Sequence, residues 1–468
     1  MIVPQNRLLI WVGLIALPFS LLAGIVPGAI VISLGAITLL LLIVLVDAVL
    51  SRNALSGITV EAPPIARMSK DREARLEVRI RNERLKPFTL SLSLVLPPEL
   101  QSHTEETLIA LPAGVEWSRF DWICTPLSRG KFQAGWAYFE APSPFAFWAV
   151  RKTVPLACQI RVYPNLMTER KDLAALFLHR GSLGLHVQRQ VGKGRDFEKL
   201  REYIPGDSFD EVHWKATAKR GHPITKIFQV ERTQEVYVII DSSRLSARKT
   251  EGRASSPGRA GSARDITPAG QLRQPPLDAG GSALERFITA ALVLGLAAEQ
   301  QGDLFGLVTF SNRVENFIRA KNGKAHYDSC RDALYTLEPQ LVTPDFDELC
   351  TLLRLRLRRR ALLVFLTSLD DSVLAEAFIR NIELIRRQHL VLVNMLQPPG
   401  VAPLFTNPNI NSLDELYQDL GGHLLWHKLR ELEKVLQRRG VRFSLLKNER
   451  LSAELVSQYL NVKQRQLI

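Results

Sequence analysis

Two places in the sequence combine side-chain types and spacing that could support catalysis or metal binding. His213 follows Asp210 and Glu211, and a histidine beside a carboxylate can exchange protons with a substrate. His423 and His427 lie one helical turn apart, a spacing that can hold zinc. Because no nucleophile motif or third ligand accompanies either place, we interpret His213 as a structural hydrogen-bond donor and the histidine pair as coincidental.

Nucleotide hydrolysis and serine-hydrolase chemistry lack their motifs in this sequence. There is no GxxxxGK[ST] phosphate loop and no GxSxG nucleophile turn, and "VGKGRDF" has neither the length nor the hydroxyl residue of a phosphate loop. We therefore expect that the protein does not hydrolyse ATP itself and that any energy comes from a partner.

The stretch 194–221 concentrates charges, a Pro-Gly-Asp turn and a single tryptophan, Trp214. Its first part, Phe197 to Tyr203, is predicted as a short helix that ends before Pro205, since the residue before proline avoids the α region. A second short helix is predicted to end at Gly221. We favour a structural clamp between two domains, with a partner-docking surface and catalysis as alternatives.

Composition bounds the class of protein. The 468 residues carry 60 Lys and Arg against 47 Asp and Glu, a net charge of +13, which favours anionic surfaces. The four cysteines are far apart and suit a reducing compartment, although a Cys124–Cys158 bridge is conceivable. The run "LRLRLRRR", Leu353 to Arg360, lacks stacking aromatics, so we interpret it as membrane-proximal charge, and no nucleic acid is expected.

An uncharged segment near the start predicts a membrane anchor. Leu8 to Val46 has no charged side chain over 39 residues, enough for two spans of about 20 residues each, with Pro27-Gly28 as the turn. A signal peptide is the alternative, but its apolar region would be shorter. Arg7 before the spans and the basic residues from Arg52 to Arg75 after them place both ends in the cytoplasm, so the expected location is the inner membrane, multi-pass, with cytoplasmic soluble domains.

The remaining elements predict two domains and a connection. Residues 1–52 form the hairpin, and period-two alternation over 53–165 predicts an all-β, immunoglobulin-like sandwich. Residues 166–233 contain a connecting helix and the charged stretch. From 234 to 468, buried strands alternate with helices, which predicts a doubly wound α/β sheet. The segment 246–281 is rich in Ser, Gly, Pro and Arg, so we expect a disordered surface insert, with a basic tether for an anionic partner as the alternative.

Six segments stand out along this order of parts: "SRGKFQAG", "SPFAFW", "VYP", "GRDFEKLREYIPGD", "HWKATAKRG" and "VYVIIDSS". Through them the chain resembles the bacterial and archaeal family known as domain of unknown function 58. The resemblance implies a membrane hairpin, a β-sandwich, a signature segment and a von Willebrand factor A-like domain. The signature positions are Arg201, Tyr203, Pro205, Gly206, Asp207, His213, Trp214 and Lys215. Family members are commonly encoded beside MoxR-type AAA+ ATPases, which suggests a role in assembling or remodelling other proteins.

Domains like von Willebrand A often hold Mg²⁺ above the sheet through Asp-x-Ser-x-Ser, a threonine and a later aspartate. The resemblance implies Asp241, Ser243 and Thr343 as the corresponding residues, but Leu245 replaces the second serine and Ser368 the aspartate, with Asp370 displaced by two. Mg²⁺ prefers six hard oxygens, so we expect no cofactor and a vestigial metal crevice that binds protein.

The expected function is thus a non-enzymatic membrane adaptor or assembly factor. Its crevice of Asp241, Ser243, Thr343 and Asp370 would bind client proteins and a MoxR-type AAA+ ATPase. The alternatives are a metal-dependent hydrolase that uses Asp241 and Asp370, and an envelope-biogenesis scaffold.

Overall fold

The computed structural model describes residues 1–167, 169, 191–205, 208–229, 234–248, 281–404, 406 and 412–465. The chain divides into two units, Met1–Asn165 and Leu166–Ile468. Three predictions lie wholly or largely outside the described residues. These are the connecting helix after residue 166, the turn residues Gly206 and Asp207, and the insert 246–281.

The first unit begins with a short strand and two long apolar helices. Strand β1 (Ile2–Pro4), which the sequence did not predict, precedes helix α1 (Asn6–Ile25) and helix α2 (Ile30–Ser51). Helix α1 contains a π-helical turn, and Pro27–Ala29 forms the predicted turn. The side chains of these helices are largely exposed, as Leu9 at 65% and Leu41 at 62% illustrate. Exposed apolar helices of this length suit a bilayer, which makes the protein membrane-associated.

Two β-sheets complete the first unit, which confirms the predicted β structure, while the immunoglobulin-like arrangement stays a prediction. Their strands are β2 (Ile58–Glu61), β3 (Ile65–Ser69), β4 (Ala74–Asn82), β5 (Phe88–Val95), β6 (Leu100–Ser102), β7 (Thr107–Leu111), β8 (Trp117–Pro126), β9 (Gly130–Pro142) and β10 (Trp148–Tyr163). One sheet has the order β1-β10-β9-β5-β7, with β3 paired to β10, and the other has the order β2-β4-β8-β6.

The two sheets share one apolar core because alternate residues of each strand face the other sheet. Val78 of β4, Leu92 of β5 and Phe139 of β9 belong to the same buried cluster. Cys124 and Cys158 are both buried and free, so the conceivable bridge between them does not form.

The second unit opens with the signature segment, where the structure corrects one prediction. Phe197 to Tyr203 was expected to be helical, but Val191–Glu202 forms strand β11 and pairs antiparallel with strand β12 (Ile224–Gln229). Lys, Glu, Leu and Arg favour helices only weakly, and cross-strand pairing overrides that preference. In the sequence, helix α3 (Trp214–Arg220) comes after β11 and before β12. It ends at Gly221, which is in the left-handed region, as predicted.

The rest of the second unit alternates strands and helices. Its elements are β13 (Glu235–Asp241), α4 (Ala283–Gln300), β14 (Leu304–Phe310), β15 (Val314–Lys321), α5 (Lys324–Leu334), α6 (Phe346–Arg356), β16 (Ala361–Leu366), α7 (Ser372–Arg386), β17 (Leu390–Leu396), α8 (Leu413–Arg438), β18 (Arg442–Leu446) and α9 (Leu451–Gln464).

These strands form one doubly wound sheet in the order β15-β14-β13-β16-β17-β18. The five strands from β14 to β18 in that order are parallel, and β15 is an antiparallel edge strand that the sequence did not predict. A separate apolar cluster covers each face: Val238 belongs to the one beneath α4 and α9, and Ile239 to the one beneath α6 and α7. Strand β13 is central, so its carboxyl end lies at the middle of the crevice edge.

Candidate functional site

The crevice is built around Asp241, the last residue of β13. Its side chain is fully buried. One carboxylate oxygen accepts from the backbone N–H of Ser243 at 2.8 Å, and the other accepts from the hydroxyl of Thr367 at 2.6 Å. Burial raises the pKa of Asp241 above its ordinary value, an effect that the hydrogen bonds from Ser243 and Thr367 oppose. Both carboxylate oxygens of Asp241 therefore accept hydrogen bonds from the protein itself.

Thr367 is the residue that the sequence analysis missed. It directly follows β16, which pairs in parallel with β13 so that Ile240 lies opposite Leu366. The next residues on the two strands, Asp241 and Thr367, therefore emerge side by side. The signal is present in "FLTSLDD", because Thr367 is the first polar residue after a buried neighbouring strand and such a residue lies at this edge.

The other predicted crevice residues have separate roles. Ser243 is buried, and its hydroxyl oxygen accepts from the N–H of Leu245 at 3.4 Å. Leu245, at the position of the second serine, is only 3% exposed and packs in the core. Thr343 is exposed in a loop that reaches this edge, where the N–H of Arg244 donates to the carbonyl of Val342 at 3.0 Å.

Two arginine–aspartate pairs lie along the rim. Arg248 pairs with one carboxylate oxygen of Asp370, and Arg244 lies 3.8 Å from a carboxylate oxygen of Asp371. Asp371 also accepts from the N–H of Val373 at 3.0 Å and caps α7. The second oxygen of Asp370 is buried without a hydrogen-bond partner among the described residues. The rim carboxylates are therefore largely occupied by arginines rather than open to a ligand.

This donor set does not match an Mg²⁺ octahedron. Such a site needs about six hard oxygens, several of them from water. Here both oxygens of Asp241 accept protein hydrogen bonds, an apolar residue replaces one hydroxyl, and Arg248 holds Asp370. Within the described ranges, no group of three His, Cys, Asp or Glu side chains is arranged to hold a metal ion.

The rim also exposes two large apolar side chains. Leu341 is 85% exposed. Its neighbour Gln340 donates its N–H to the carbonyl of Ser242, and its other neighbour is Val342. Val373 is 74% exposed at the start of α7, beside Asp371. Leu341 precedes Val342, which is bonded to Arg244, and Val373 follows Asp371 by two residues, so the rim combines charge with exposed apolar side chains.

The signature residues form a small module on the β11–β12 hairpin. The rings of Tyr203 and Phe209 contact in a tilted arrangement, with centroids 6.0 Å apart. His213 accepts from the N–H of Ala216 at 3.0 Å and caps α3, so it is a hydrogen-bond acceptor there and not a donor. Trp214 is 66% exposed, so its ring does not anchor the segment by burial. Arg201 lies in β11, whereas Pro205 and Lys215 are exposed. The clamp role stays a prediction.

The histidine pair on α8 is structural at one position. His423 accepts from the N–H of Leu404 at 3.1 Å and stacks on Trp426. His427 is exposed and lies 3.6 Å from Glu431.

Comparisons with known proteins confirm the family resemblance. The model of the family described as "Protein of unknown function DUF58" matches residues 199–255 and 281–401. No curated protein matches the chain.

Solved structures with a similar chain include an aerotolerance-related membrane protein from Bacteroides fragilis. It has 14% identity and a TM-score of 0.26, with 49% of this chain and 98% of that chain covered. For the conserved hypothetical protein BatB from Bacteroides thetaiotaomicron, identity is 15%, the TM-score is 0.25, and coverage is 49% and 99%. The SpRpn10 VWA domain shows 10% identity, a TM-score of 0.26, and coverage of 48% and 95%.

Proposed function

We propose that this chain, a membrane-associated protein with a von Willebrand A-like DUF58 domain, is a non-enzymatic adaptor or assembly factor. In this proposal the crevice above β13 and β16 binds other proteins. Client proteins and a MoxR-type AAA+ ATPase are the partners that we propose, with the ATPase as the energy source. The family match over residues 199–255 and 281–401 supports the domain type.

The observation that carries the proposal is the state of Asp241. A catalytic carboxylate must face its substrate with a free oxygen, whereas both oxygens of Asp241 are buried and bonded to Ser243 and Thr367. The rim beside it exposes Leu341 and Val373, and exposed apolar side chains beside charged pairs are typical of protein-binding surfaces. The crevice therefore favours binding to a protein over turnover of a small molecule.

The proposed location is the inner membrane, with α1 and α2 as two spans and the soluble parts in the cytoplasm. Arg7 precedes α1, and Arg52 and later basic residues follow α2, which is the distribution that retains both flanks on the cytoplasmic side. Protease added to intact spheroplasts should leave the protein uncut, and cleavage from outside would refute this orientation.

Cross-linking in native membranes tests the binding function. We expect an AAA+ ATPase and client proteins to be captured by the full chain, and to be lost when Leu341→Asp and Val373→Asp are combined. Leu413→Asp is the matched control, since Leu413 is 73% exposed on α8 and should leave capture unchanged. Absence of any ATPase from the cross-linked material, or equal loss with the control, would contradict the proposal.

The alternative function is a metal-dependent hydrolase. One oxygen of Asp370 is buried without a donor in the described part of the chain, and this favours the hydrolase, because such an acceptor is the kind of group that a cation satisfies. Calorimetric titration of Mg²⁺ into the full chain should give no heat that depends on Asp241. Heat that disappears in Asp241→Ala, or phosphoesterase or peptidase turnover lost in that variant, would replace the adaptor with the hydrolase. An envelope-biogenesis scaffold remains a third candidate, which the identity of captured clients would distinguish.

A further inference from the structure

The turn between β9 and β10, Ser143 to Trp148, is fastened to the second membrane helix by one carboxylate. Asp47 of α2 is fully buried. It accepts from the hydroxyl of Ser143, from the N–H of Phe145 at 3.1 Å and from the N–H of Phe147 at 3.4 Å. Three donors from a single turn therefore bind the carboxylate of Asp47, so the protein itself supplies its hydrogen bonds without water.

A second hydrogen bond joins the same turn to α2 at a position nearer to the middle of that helix. The indole N–H of Trp148 donates to the carbonyl oxygen of Val44 at 3.0 Å. Helix α2 ends at Ser51, seven residues beyond Val44, which corresponds to about 10 Å at 1.5 Å per residue. A span of 22 residues extends about 33 Å, close to the hydrocarbon thickness of about 30 Å. The turn therefore reaches the depth at which the helix enters the bilayer.

The first membrane helix leaves from the same place. Strand β1 pairs with the start of β10, with Pro4 opposite Trp148, and the N–H of Gln5 donates to the carbonyl of Phe147 at 2.9 Å. The beginning of α1 and the end of α2 are thus both bonded to one turn. The turn cannot move away from the spans without breaking these bonds.

At this depth the turn exposes aromatic surface. Phe145 is 54% exposed, and its ring lies 6.3 Å from that of the buried Phe147. The next residue, Ala146, has a φ of +57°, a conformation that costs free energy for a residue with a Cβ. Phenylalanine is among the apolar side chains that interfacial elements bury at the boundary of headgroups and acyl chains, so lipid is the environment that suits the exposed ring.

We propose that the β9–β10 turn is a third membrane contact, which inserts Phe145 into the lipid interface while Asp47 fastens it to α2. The occupant of this surface is the lipid bilayer and not a partner protein. The inference requires that α1 and α2 span the membrane, but it does not depend on what the crevice binds. It also explains how a carboxylate is accommodated near the end of a membrane span.

Site-directed fluorescence in vesicles of the pure full-length protein tests this contact. The four native cysteines are buried, so Phe145→Cys can be labelled in detergent with an environment-sensitive fluorophore before reconstitution into phosphatidylcholine vesicles. Leu127→Cys is the matched control, because Leu127 is 47% exposed in the turn between β8 and β9, at the opposite end of the same strands. Leu41→Cys, in α2, reports the span itself.

We expect lipids with a nitroxide near the headgroup to quench the probe at position 145 and not at position 127. Iodide in the water should quench position 145 several-fold less than position 127. Equal quenching at 145 and 127, with position 41 quenched by lipid, would overturn the membrane contact while leaving the spans intact. Exposure of position 41 to iodide would refute the spans as well.

A separate variant tests whether Asp47 fastens the turn to α2. Asp47→Leu keeps a side chain of similar size but leaves the donors of Ser143, Phe145 and Phe147 without an acceptor. We expect position 145 to become accessible to iodide in this variant while position 41 stays protected. Unchanged protection at position 145 would show that Asp47 does not fasten the turn.

Discussion

The hydroxyl of Thr367 donates to the carboxylate of Asp241 over 2.6 Å, across the carboxyl ends of two adjacent parallel strands. This bond closes the centre of the crevice edge. Asp241, which the family resemblance implies as a metal ligand, is thus part of a hydrogen-bond network within the protein. The consequences can be measured as stability and as pH dependence.

Replacing Thr367 with valine should destabilise the protein. The variant preserves the shape of the side chain but leaves one buried oxygen of Asp241 without its donor, a loss of about 1–3 kcal/mol in the free energy of unfolding. Denaturant unfolding of the full chain in detergent measures it. Thr343→Val is the control, because that side chain is exposed and its change should lie within about 0.5 kcal/mol. An equal loss in both variants would refute the assignment.

The raised pKa of Asp241 predicts how stability depends on pH. Because burial raises the folded-state pKa above the ordinary 3.8, the folded state holds the proton more tightly than the unfolded state. The stabilising effect of protonation is complete below 3.8 and is lost as the pH rises through the folded-state pKa. The thermal stability of the wild type relative to Asp241→Asn should therefore fall as the pH increases through that window. A difference that rises with pH would show that the hydrogen bonds outweigh burial.

For His389 we predict the opposite dependence of stability on pH. It is 4% exposed, neither ring nitrogen has a hydrogen-bond partner among the described residues, and burial lowers its pKa below 6.5. The unfolded state then binds the proton more tightly, so stability is lost as the pH falls from 6.5 toward the folded-state pKa. His389→Leu should remove this acid-side loss. His427→Leu, at an exposed position, should retain it, and the same profile in both variants would contradict the prediction.

Two adjacent glycines of α8 should respond oppositely to alanine. A Cβ at Gly421 meets open space, whereas a Cβ at Gly422 would lie 1.9 Å from the carbonyl oxygen of Gly400. Gly421→Ala should stabilise the helix by about 0.5–1 kcal/mol, since alanine loses less conformational freedom. Gly422→Ala should destabilise the protein because the loop at Gly400 must move away. Melting temperatures of the two variants make the comparison, and shifts in the same direction would refute the packing.

Much of the architecture was evident from local pattern. The uncharged run from Leu8 to Val46 predicted two apolar helices, and buried runs such as "EVYVIID" predicted the strands of the doubly wound sheet. These elements follow from periodicity and hydrophobicity, which neighbouring residues determine. The short strand β1 and the edge strand β15 were missed, and the part of β11 from Phe197 to Glu202 was wrongly predicted as a helix. Pairing with strands elsewhere in the sequence decides all three.

The sequence by itself determined the apolar spans, the alternation of elements and the presence of Asp241 and Ser243 after a buried strand. Only the tertiary structure decided that Thr367 meets Asp241, that Arg248 holds Asp370 and that the turn at Ser143 satisfies Asp47. Each of these bonds joins residues about a hundred positions apart. Their partners are chosen by strand register and packing, and the chain carries no local signal for a contact that exists only once the sheets have formed.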